Sequence, residues 1–372
     1  MTDTQNFGAT LAVINGPYIL LQTLWYYAKH TPKEKWIALV INFDDEAYMH
    51  KMKELCEASG IFSEVLLAQS GIRDESAFRK IKTILAMGGR WVIGQKKKYC
   101  ANLLKTDIGD RKIDKALIPY DYSVTTGAIM NVLPEGQIVL LEDGLGDYKE
   151  RGSFPRCNPY SILGFILSRM GYMNVYINGE RQFTFEPDRK CIKYANMPDK
   201  MVYRNFLGIE KLFAREEADA EAFQKLIEKT FLSKEEIKID DIDVVLFSAP
   251  LDAYDTDSSN HYEKIHAWLK ENRSGEHILI KKHPMDKYDY DWKDLNISIG
   301  YDSVPGECFV GYGSQEKEIL LMFPSTMLIS LQSGGCDCKI FGFPNLSNEN
   351  YHTNVKMVNN VMGIEEDRYI NV

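Results

Sequence analysis

The chain has 372 residues, of which 45% are hydrophobic and 26% charged, so it is long enough for about two folded domains and is neither disordered nor fibrous. It carries 44 basic and 53 acidic side chains, and this net charge of −9 argues against a general binder of nucleic acid or of anionic membranes, although a local basic patch stays open. Seven cysteines without the dense spacing of a disulfide-stapled scaffold, and a first segment without the features of a signal peptide, predict a cytoplasmic protein.

Apolar runs alternate with helical spacing along the first half of the chain. The run 9–15 predicts a strand that ends at Gly16-Pro17, and helical spacing follows from Tyr18 to Lys29. Alternating segments of this kind predict parallel βαβ units. The remaining elements predicted in this half are strands at 36–41, 62–67 and 138–141 and helices at 45–58, 75–87 and 161–169.

The composition changes between about 205 and 240, where a charged helix at 214–229 is followed by the polar stretch 233–241. We place a hinge there, between an N-terminal domain of residues 1–235 and a C-terminal domain of residues 236–372. The alternation then resumes, so the fold class is α/β with two Rossmann-like domains. Its predicted elements are strands at 244–247, 277–281, 319–323 and 340–343, a helix at 260–271 and a helix that ends at Leu331.

Three polar motifs follow predicted strands, where open parallel sheets bind their ligands. The first is Glu142-Asp143-Gly144. Adjacent acids raise one another's pKa, which suits a general base, and glycine allows a substrate to approach closely. A solvated Asp-Gly turn is the alternative interpretation.

The second motif is Lys281-Lys282-His283-Pro284, a cationic site in an acidic protein. Positive charge or a proton at this place suits a phosphate leaving group, and a capping histidine beside exposed lysines is the alternative. The third motif is Pro324-Ser325-Thr326 at a helix start, which is either an anion site or an ordinary N-cap. The order of the three motifs favours a base in the first domain and a phosphate site in the second.

In that order, the acidic-acidic-Gly, His-Pro and Ser-Thr motifs resemble the signatures of bacterial sialyltransferases with the GT-B fold. The segment from Asn15 to Gln22 and the turn Ser248-Ala249-Pro250-Leu251 resemble most closely those of glycosyltransferase family 52, which includes lipooligosaccharide and capsule α-2,3-sialyltransferases. The resemblance implies two Rossmann-like domains that face each other across a cleft. It also implies inverting transfer of sialic acid from CMP-sialic acid to a terminal galactoside of a surface glycan.

The same resemblance assigns roles to residues. Glu142 or Asp143 would match the base, and His283 the residue that supports departure of the CMP phosphate. The residues that would match the donor-binding set are Lys281, Lys282, Pro284, Glu307, Ser325 and Thr326, and those on the acceptor or sialyl side are Asn15, Gly16 and Gly144.

Family 52 adds a second candidate for the base, because an acidic residue upstream of the His-Pro motif has been given that role there. Asp252 and Asp255 occupy a comparable place, in a run that also reads as a polar loop. Asp255-Thr256-Asp257 matches a metal-binding pattern, but a monophosphate leaving group has little need of a metal, and Cys336-x-Cys338 is a poor zinc signature. We therefore expect neither a metal nor a cofactor.

Several alternatives stay open. The enzyme could be a polysialyltransferase, since that group shares the three motifs, or could transfer another CMP-activated nonulosonic acid or Kdo. A binding subunit without turnover is the alternative of another class. For the apolar helix 161–169, core packing is favoured over peripheral membrane contact. Such contact would place the protein at the inner face of the membrane. A homodimer is a further alternative. The lysine run 96–98 predicts a solvated face, with attraction of an anionic acceptor as its alternative.

Overall fold

The fold is taken from a computed structural model of the chain. It divides into two compact units, Met1–Thr230 and Phe231–Val372, whereas the sequence placed the domain boundary between 235 and 236. The structure describes residues 8–30, 34–41, 46–68, 77–120, 123–134, 136–142, 170, 172, 175–177, 180–182, 191–195, 209–214, 220–233, 239–253, 258–283, 286–302, 304–309, 317–325, 327–333, 337–346 and 349–372.

The described part of the first unit alternates strands and helices before it ends in further strands and a helix. Its elements are β1 (Ala9–Ile14), α1 (Pro17–His30), β2 (Trp36–Val40), α2 (Glu46–Ser59), β3 (Glu64–Leu67), α3 (Ala77–Val92), α4 (Lys96–Ile108), β4 (Ile113–Ile118), α5 (Val124–Val132), β5 (Ile138–Leu140), β6 (Val175–Ile177), β7 (Glu180–Gln182), β8 (Cys191–Ala195), β9 (Ile209–Ala214) and α6 (Ala220–Ile227).

Seven of these strands form a parallel sheet in the order β3-β2-β1-β4-β5-β8-β9, and β6 and β7 form a separate antiparallel pair. All six residues of β1 and all five of β2 are buried, as expected for strands covered by helices on both faces. Helix α1 begins at Pro17, whose fixed φ suits the first helical position, and buries nine of its residues. The sheet order reverses between β1 and β4, which makes their ends the switch point at which ligands bind.

The second unit repeats the arrangement with fewer strands. Its elements are β10 (Val244–Phe247), α7 (Ser258–Arg273), β11 (His277–Lys281), β12 (Asn296–Gly300), β13 (Glu318–Leu321), α8 (Met327–Ser333), β14 (Cys338–Gly342), α9 (Glu349–Met362) and β15 (Tyr369–Asn371). They form a parallel sheet in the order β12-β11-β10-β13-β14-β15. Its switch point lies between β10 and β13, and its core is a separate apolar cluster.

The predicted α/β class and the two Rossmann-like domains are confirmed. Strands β10 and β11 have the bounds that their apolar runs predicted. Helix α4 begins at Lys96, so the lysine run 96–98 opens a helix in a stretch for which no element was predicted. Strand β4 and helix α5 were not predicted either. The predicted helix 161–169 lies outside the described residues, and within the part of the chain that the structure covers, no helix could cross a membrane.

Candidate active site

The first motif is held at the end of β5 by the start of α1. Glu142 follows that strand by two residues and is 1% exposed. The Tyr18 hydroxyl, in the first turn of α1, donates a hydrogen bond to Oε1 of Glu142 at 2.7 Å. The carboxylate is therefore positioned between the ends of two strands, because α1 directly follows β1. Asp143 and Gly144 lie outside the described residues.

Asn15 and Gly16 form the turn that leads from β1 into α1, and both are half-buried. The Gly16 carbonyl accepts the hydrogen bond of Leu20 N at 3.1 Å, which starts the helix. A Cβ atom on Gly16 would lie 3.3 Å from the Tyr48 hydroxyl, so the backbone packs closely here. The segment that the resemblance assigned to the acceptor or sialyl side thus lies at the same sheet edge as Glu142.

The second motif lies at the carboxyl end of β11, beside the switch point of the second sheet. Strand β10 pairs with β11 on one side and β13 on the other, so Ser248, the His283 segment and Ser325 all follow neighbouring strands. The Ser248 hydroxyl accepts a hydrogen bond from His283 N at 2.9 Å, and Ser248 N donates to Lys281 O at 3.1 Å. These two bonds extend the β10–β11 pairing past the strand ends and fix the backbone at His283.

The two lysines before the histidine have different surroundings. Lys281 is buried, at 8% exposure, and its Nζ donates to the Lys282 carbonyl at 3.3 Å. Lys282 Nζ donates to the Tyr288 carbonyl at 2.9 Å and lies 5.7 Å from the centre of the Tyr290 ring. Lys281 therefore contributes charge inside the site, whereas Lys282 ties the following loop to the strand end.

The His283 side chain reaches the surface, yet its titration is displaced. The protein atoms around the imidazole, and secondly the charge of Lys281, lower the pKa of His283 below its ordinary value of 6.5, while Asp286 acts in the opposite direction. In the ligand-free protein His283 is therefore mainly neutral at pH 7. It can donate one N–H bond and can still gain a proton.

Asp286 was missed by sequence reasoning, although it organises the loop after β11. Its carboxylate is 6% exposed, accepts from the Tyr290 hydroxyl at 2.6 Å and from Tyr288 N at 3.0 Å, and lies 3.1 Å from the Tyr262 hydroxyl. Asp286 N in turn donates to the His283 carbonyl at 2.9 Å. We call the side chains of Asp286, Tyr262 and Tyr290 the tyrosine–carboxylate cluster.

This cluster also reaches the turn after β10. The Tyr262 hydroxyl lies 2.9 Å from the Ala249 carbonyl and accepts from Leu251 N at 3.3 Å, and the Tyr290 hydroxyl is hydrogen-bonded to Ser248. Burial is the main cause that raises the pKa of both tyrosines well above 10. The only sequence signal was the alternation Asp286, Tyr288, Tyr290, Trp292, which places an acid among aromatic residues at the period-two spacing of a strand, although the structure has no strand there.

The third motif is placed by a close backbone contact. A Cβ atom on Gly306 would lie 2.2 Å from Sδ of Met327, the first residue of α8, and 3.3 Å from the Phe247 ring at the end of β10. Only glycine lets the turn with Glu307 approach this sheet edge so closely. Ser325 precedes α8, its carbonyl accepts from Leu328 N at 3.0 Å, and Ser325 and Glu307 are half-buried. Thr326 and Pro284 lie outside the described residues.

The rival base candidate Asp252 belongs to the short helix Leu251–Ala253 after β10 and is exposed. It lies in the second unit, near Tyr262, whose pKa its charge raises. Asp255 lies outside the described residues. Across the described residues, no group of three or more His, Cys, Asp or Glu side chains could hold a metal ion.

Residues 10–299 match the model of the alpha-2,8-polysialyltransferase (POLYST) family, which covers most of the chain. The chain belongs to this family. The resemblance to bacterial sialyltransferases of the family 52 type is thereby confirmed, and the protein is a glycosyltransferase. No curated protein matches this sialyltransferase in sequence.

Solved structures share the fold of this sialyltransferase at low identity. An alpha/beta-galactoside alpha-2,3-sialyltransferase from Photobacterium phosphoreum is 13% identical, with a TM-score of 0.57 and 99% of each chain covered. A 2,6-sialyltransferase from Photobacterium sp. JT-ISH-224, in a complex with CMP and lactose, is 9% identical, with a TM-score of 0.52, 98% of this chain covered and 78% of that one. The predicted GT-B type fold is confirmed.

The charge of Lys281 can be tested through the titration of His283. We expect Lys281→Gln to raise the pKa of His283 toward 6.5, because it removes the second cause of the depression while the surrounding protein remains. Titration of labelled histidine followed by NMR would measure the shift. Lys282→Gln is the matched control and should leave the pKa unchanged; an equal shift in both variants would contradict the separate roles of the two lysines.

Proposed function

We propose that this sialyltransferase transfers sialic acid from CMP-sialic acid to a hydroxyl of a bacterial surface glycan, with inversion and without a metal, on the cytoplasmic side of the membrane. The observation that carries the proposal is the position of Lys281 and His283 at the carboxyl end of β11, next to β10 and therefore beside the switch point of the second sheet, in a chain that belongs to a sialyltransferase family. The relative in complex with CMP supports the same donor product.

The donor half of the reaction belongs to the second unit. As the bond between the anomeric carbon and the phosphate oxygen breaks, negative charge grows on the CMP phosphate. Buried Lys281 supplies a fixed positive charge, and His283 supplies an N–H bond and then a proton, since a nearby phosphate raises its pKa. Ser325 would hold the phosphate, and Glu307 the nucleoside. A monophosphate that is stabilised in this way does not need a divalent ion.

The acceptor half belongs to the first unit. The acidic pair of the first motif takes the proton of the acceptor hydroxyl while the acceptor oxygen bonds to the anomeric carbon. Glu142 is the described member of the pair, and the Tyr18 hydroxyl holds its carboxylate at the sheet edge beside Asn15. One base and one supported leaving group suffice for a single displacement, which inverts the anomeric carbon.

Two acceptors are supported by different observations. The galactoside predicted from the motifs agrees with the printed activity of the Photobacterium phosphoreum enzyme, an α-2,3 transfer. The matched family model names an α-2,8 transfer that builds polysialic acid, which requires a sialic acid as acceptor. We retain terminal α-2,3 transfer as the first proposal and polymer extension as the second.

An acceptor panel separates the two proposals. Purified protein with CMP-sialic acid is incubated with lactose or with short α-2,8-linked oligosialic acid, and products are resolved by mass. One added residue on lactose supports the first proposal, and a ladder on oligosialic acid supports the second. Failure to use CMP-sialic acid with either acceptor, together with transfer from CMP-Kdo or another CMP-activated nonulosonic acid, would overturn the donor. Absence of turnover with every donor would favour the binding subunit.

We expect His283→Ala to lower kcat by roughly 10²–10⁴-fold, the usual range for loss of a general acid or base. The fold should be preserved, because the side chain is at the surface and the backbone of this residue makes the bonds to Ser248 and Asp286. His50→Ala, at an exposed position of α2, is the control and should retain full activity. Unchanged kcat in His283→Ala would remove the residue from the mechanism.

The base can be assigned with two isosteric amides. We expect Glu142→Gln to lower kcat by about 10²–10⁴-fold, whereas Asp252→Asn keeps activity within a few-fold. Glutamine can still accept the Tyr18 hydrogen bond, so folding is retained. The reverse result, in which kcat falls only in Asp252→Asn, would assign the role of base to Asp252 in the second unit.

A further inference from the structure

The connection between α3 and α4 exposes large apolar side chains. Relative exposures are 70% for Leu85, 48% for Trp91, 74% for Val92 and 59% for Ile93. Among the described residues, only Ile299 is also a large hydrophobic side chain of this exposure. We call residues 85–98 the α3–α4 tip. Exposed apolar groups that cluster in one short segment mark an interaction site more often than scattered ones do.

The tip is rigid in its backbone. Gly94, with φ +70°, ends α3 through two closing hydrogen bonds, from Gly94 N to Trp91 O at 3.0 Å and from Gln95 N to Arg90 O at 2.8 Å. The base of the tip is anchored in the core, because Met87 is fully buried and its carbonyl accepts from the Tyr172 hydroxyl at 2.7 Å. The apolar side chains are therefore exposed by a folded turn with a defined geometry.

The same segment is strongly basic although the whole chain has a net charge of −9. Residues 77–106 contain eight Lys and Arg and no Asp or Glu. Three of the lysines, at 96–98, open α4, where the helix dipole disfavours positive charge. Among the described residues, Lys97 and Lys98 form no ion pair with an acid. This unfavourable interaction of the lysine charges with the helix dipole is offset when the lysines bind an anion outside the protein.

We propose that the α3–α4 tip docks on a lipid bilayer with an anionic surface. Trp91, Val92 and Ile93 would enter the boundary between headgroups and acyl chains, and Arg90 with Lys96–Lys98 would contact the headgroup phosphates. This combination of one aromatic residue, aliphatic residues and flanking cations is typical of an interfacial segment. The inference is independent of the donor and acceptor proposed above.

The exposed aliphatic side chains favour lipid over a glycan polyanion. A charged glycan would pair with the lysines but would leave Leu85, Val92 and Ile93 in water, whereas a bilayer takes up both kinds of group. The sequence predicted peripheral membrane contact, if any, at helix 161–169, and predicted the lysine run 96–98 as a solvated face, with attraction of an anionic acceptor as the alternative. The structure shows exposed apolar side chains, Trp91, Val92 and Ile93, directly before those lysines.

The α3–α4 tip lies toward the same edge of the first sheet as Glu142. Helix α4 packs on the first sheet through Cys100, Leu104 and Ile108 and ends just before β4 starts. Its first turn is therefore directed toward the opposite edge, where β1 and β5 end and where Glu142 lies. Docking at the tip would bring that edge of the first unit close to the membrane surface.

Vesicle flotation of the full chain tests the proposal. We expect binding to phosphatidylcholine vesicles that contain about a third phosphatidylglycerol, weak binding to pure phosphatidylcholine, and release by high salt. The triple variant Lys96→Gln, Lys97→Gln, Lys98→Gln should lose on the order of 10²-fold in partitioning, from about fivefold per charge. The control is Lys51→Gln, Lys225→Gln, Lys270→Gln, which has the same change in charge at exposed positions elsewhere and should bind as the wild type does.

The apolar contribution has a separate readout. Of the five tryptophans, Trp25, Trp36 and Trp292 are buried and Trp268 is partly buried. Binding to vesicles should therefore shift the fluorescence emission of Trp91 to shorter wavelength. Trp91→Phe should remove the shift, and Val92→Ser with Ile93→Ser should weaken flotation at least tenfold while Ile299→Ser does not. Melting temperature and transfer to a soluble acceptor should be unchanged in all tip variants.

Three outcomes would overturn the proposal. These are no flotation of the wild type, equal flotation of the lysine triple variant, and loss of binding to soluble oligosialic acid in the triple variant when no vesicle binding is seen. The last result would make the tip a glycan site instead.

Discussion

The buried carboxylate of Asp286 holds the second unit's site together. One acidic side chain accepts hydrogen bonds from a tyrosine hydroxyl and a backbone N–H of its own loop and lies beside the Tyr262 hydroxyl of α7, while its own N–H caps the carbonyl of His283. Leaving such a group without partners would cost about 1–3 kcal/mol or more, because it is largely removed from water. The loop after β11 therefore has one favourable arrangement, and His283 is placed by it.

The two units position polar residues in the same way but with different side chains. In both, parallel strands place polar residues at the carboxyl edge of the sheet, near its switch point, and a hydroxyl fixes a residue just past a strand end: Tyr18 fixes the Glu142 carboxylate, and Ser248 fixes the backbone of His283. The first unit thereby presents a carboxylate and the second an imidazole beside a buried cation, Lys281. This division of charge agrees with a transfer in which a hydroxyl loses a proton and a phosphate gains negative charge.

Much of the fold could be predicted because its central strands are buried on both faces and are therefore uninterrupted apolar runs, such as β10 and β11. Strand β4 was not predicted because Asp114 and Lys115 interrupt the apolar run in its first half and only its second half is fully buried. The motifs that follow strands were found because parallel topology fixes their location. The tyrosine–carboxylate cluster could not be found, since Tyr262 and Asp286 are distant in sequence and meet only when α7 packs against the loop.

The two tyrosines of that cluster affect how the site around His283 responds to pH. Because burial keeps Tyr262 and Tyr290 protonated far into the alkaline range, their hydroxyls remain donors at every pH at which a bacterium grows. The imidazole of His283 thus titrates in a pH range in which both tyrosine hydroxyls keep their protons. Its charge can change while these two hydrogen-bond donors of the neighbouring loop stay in place.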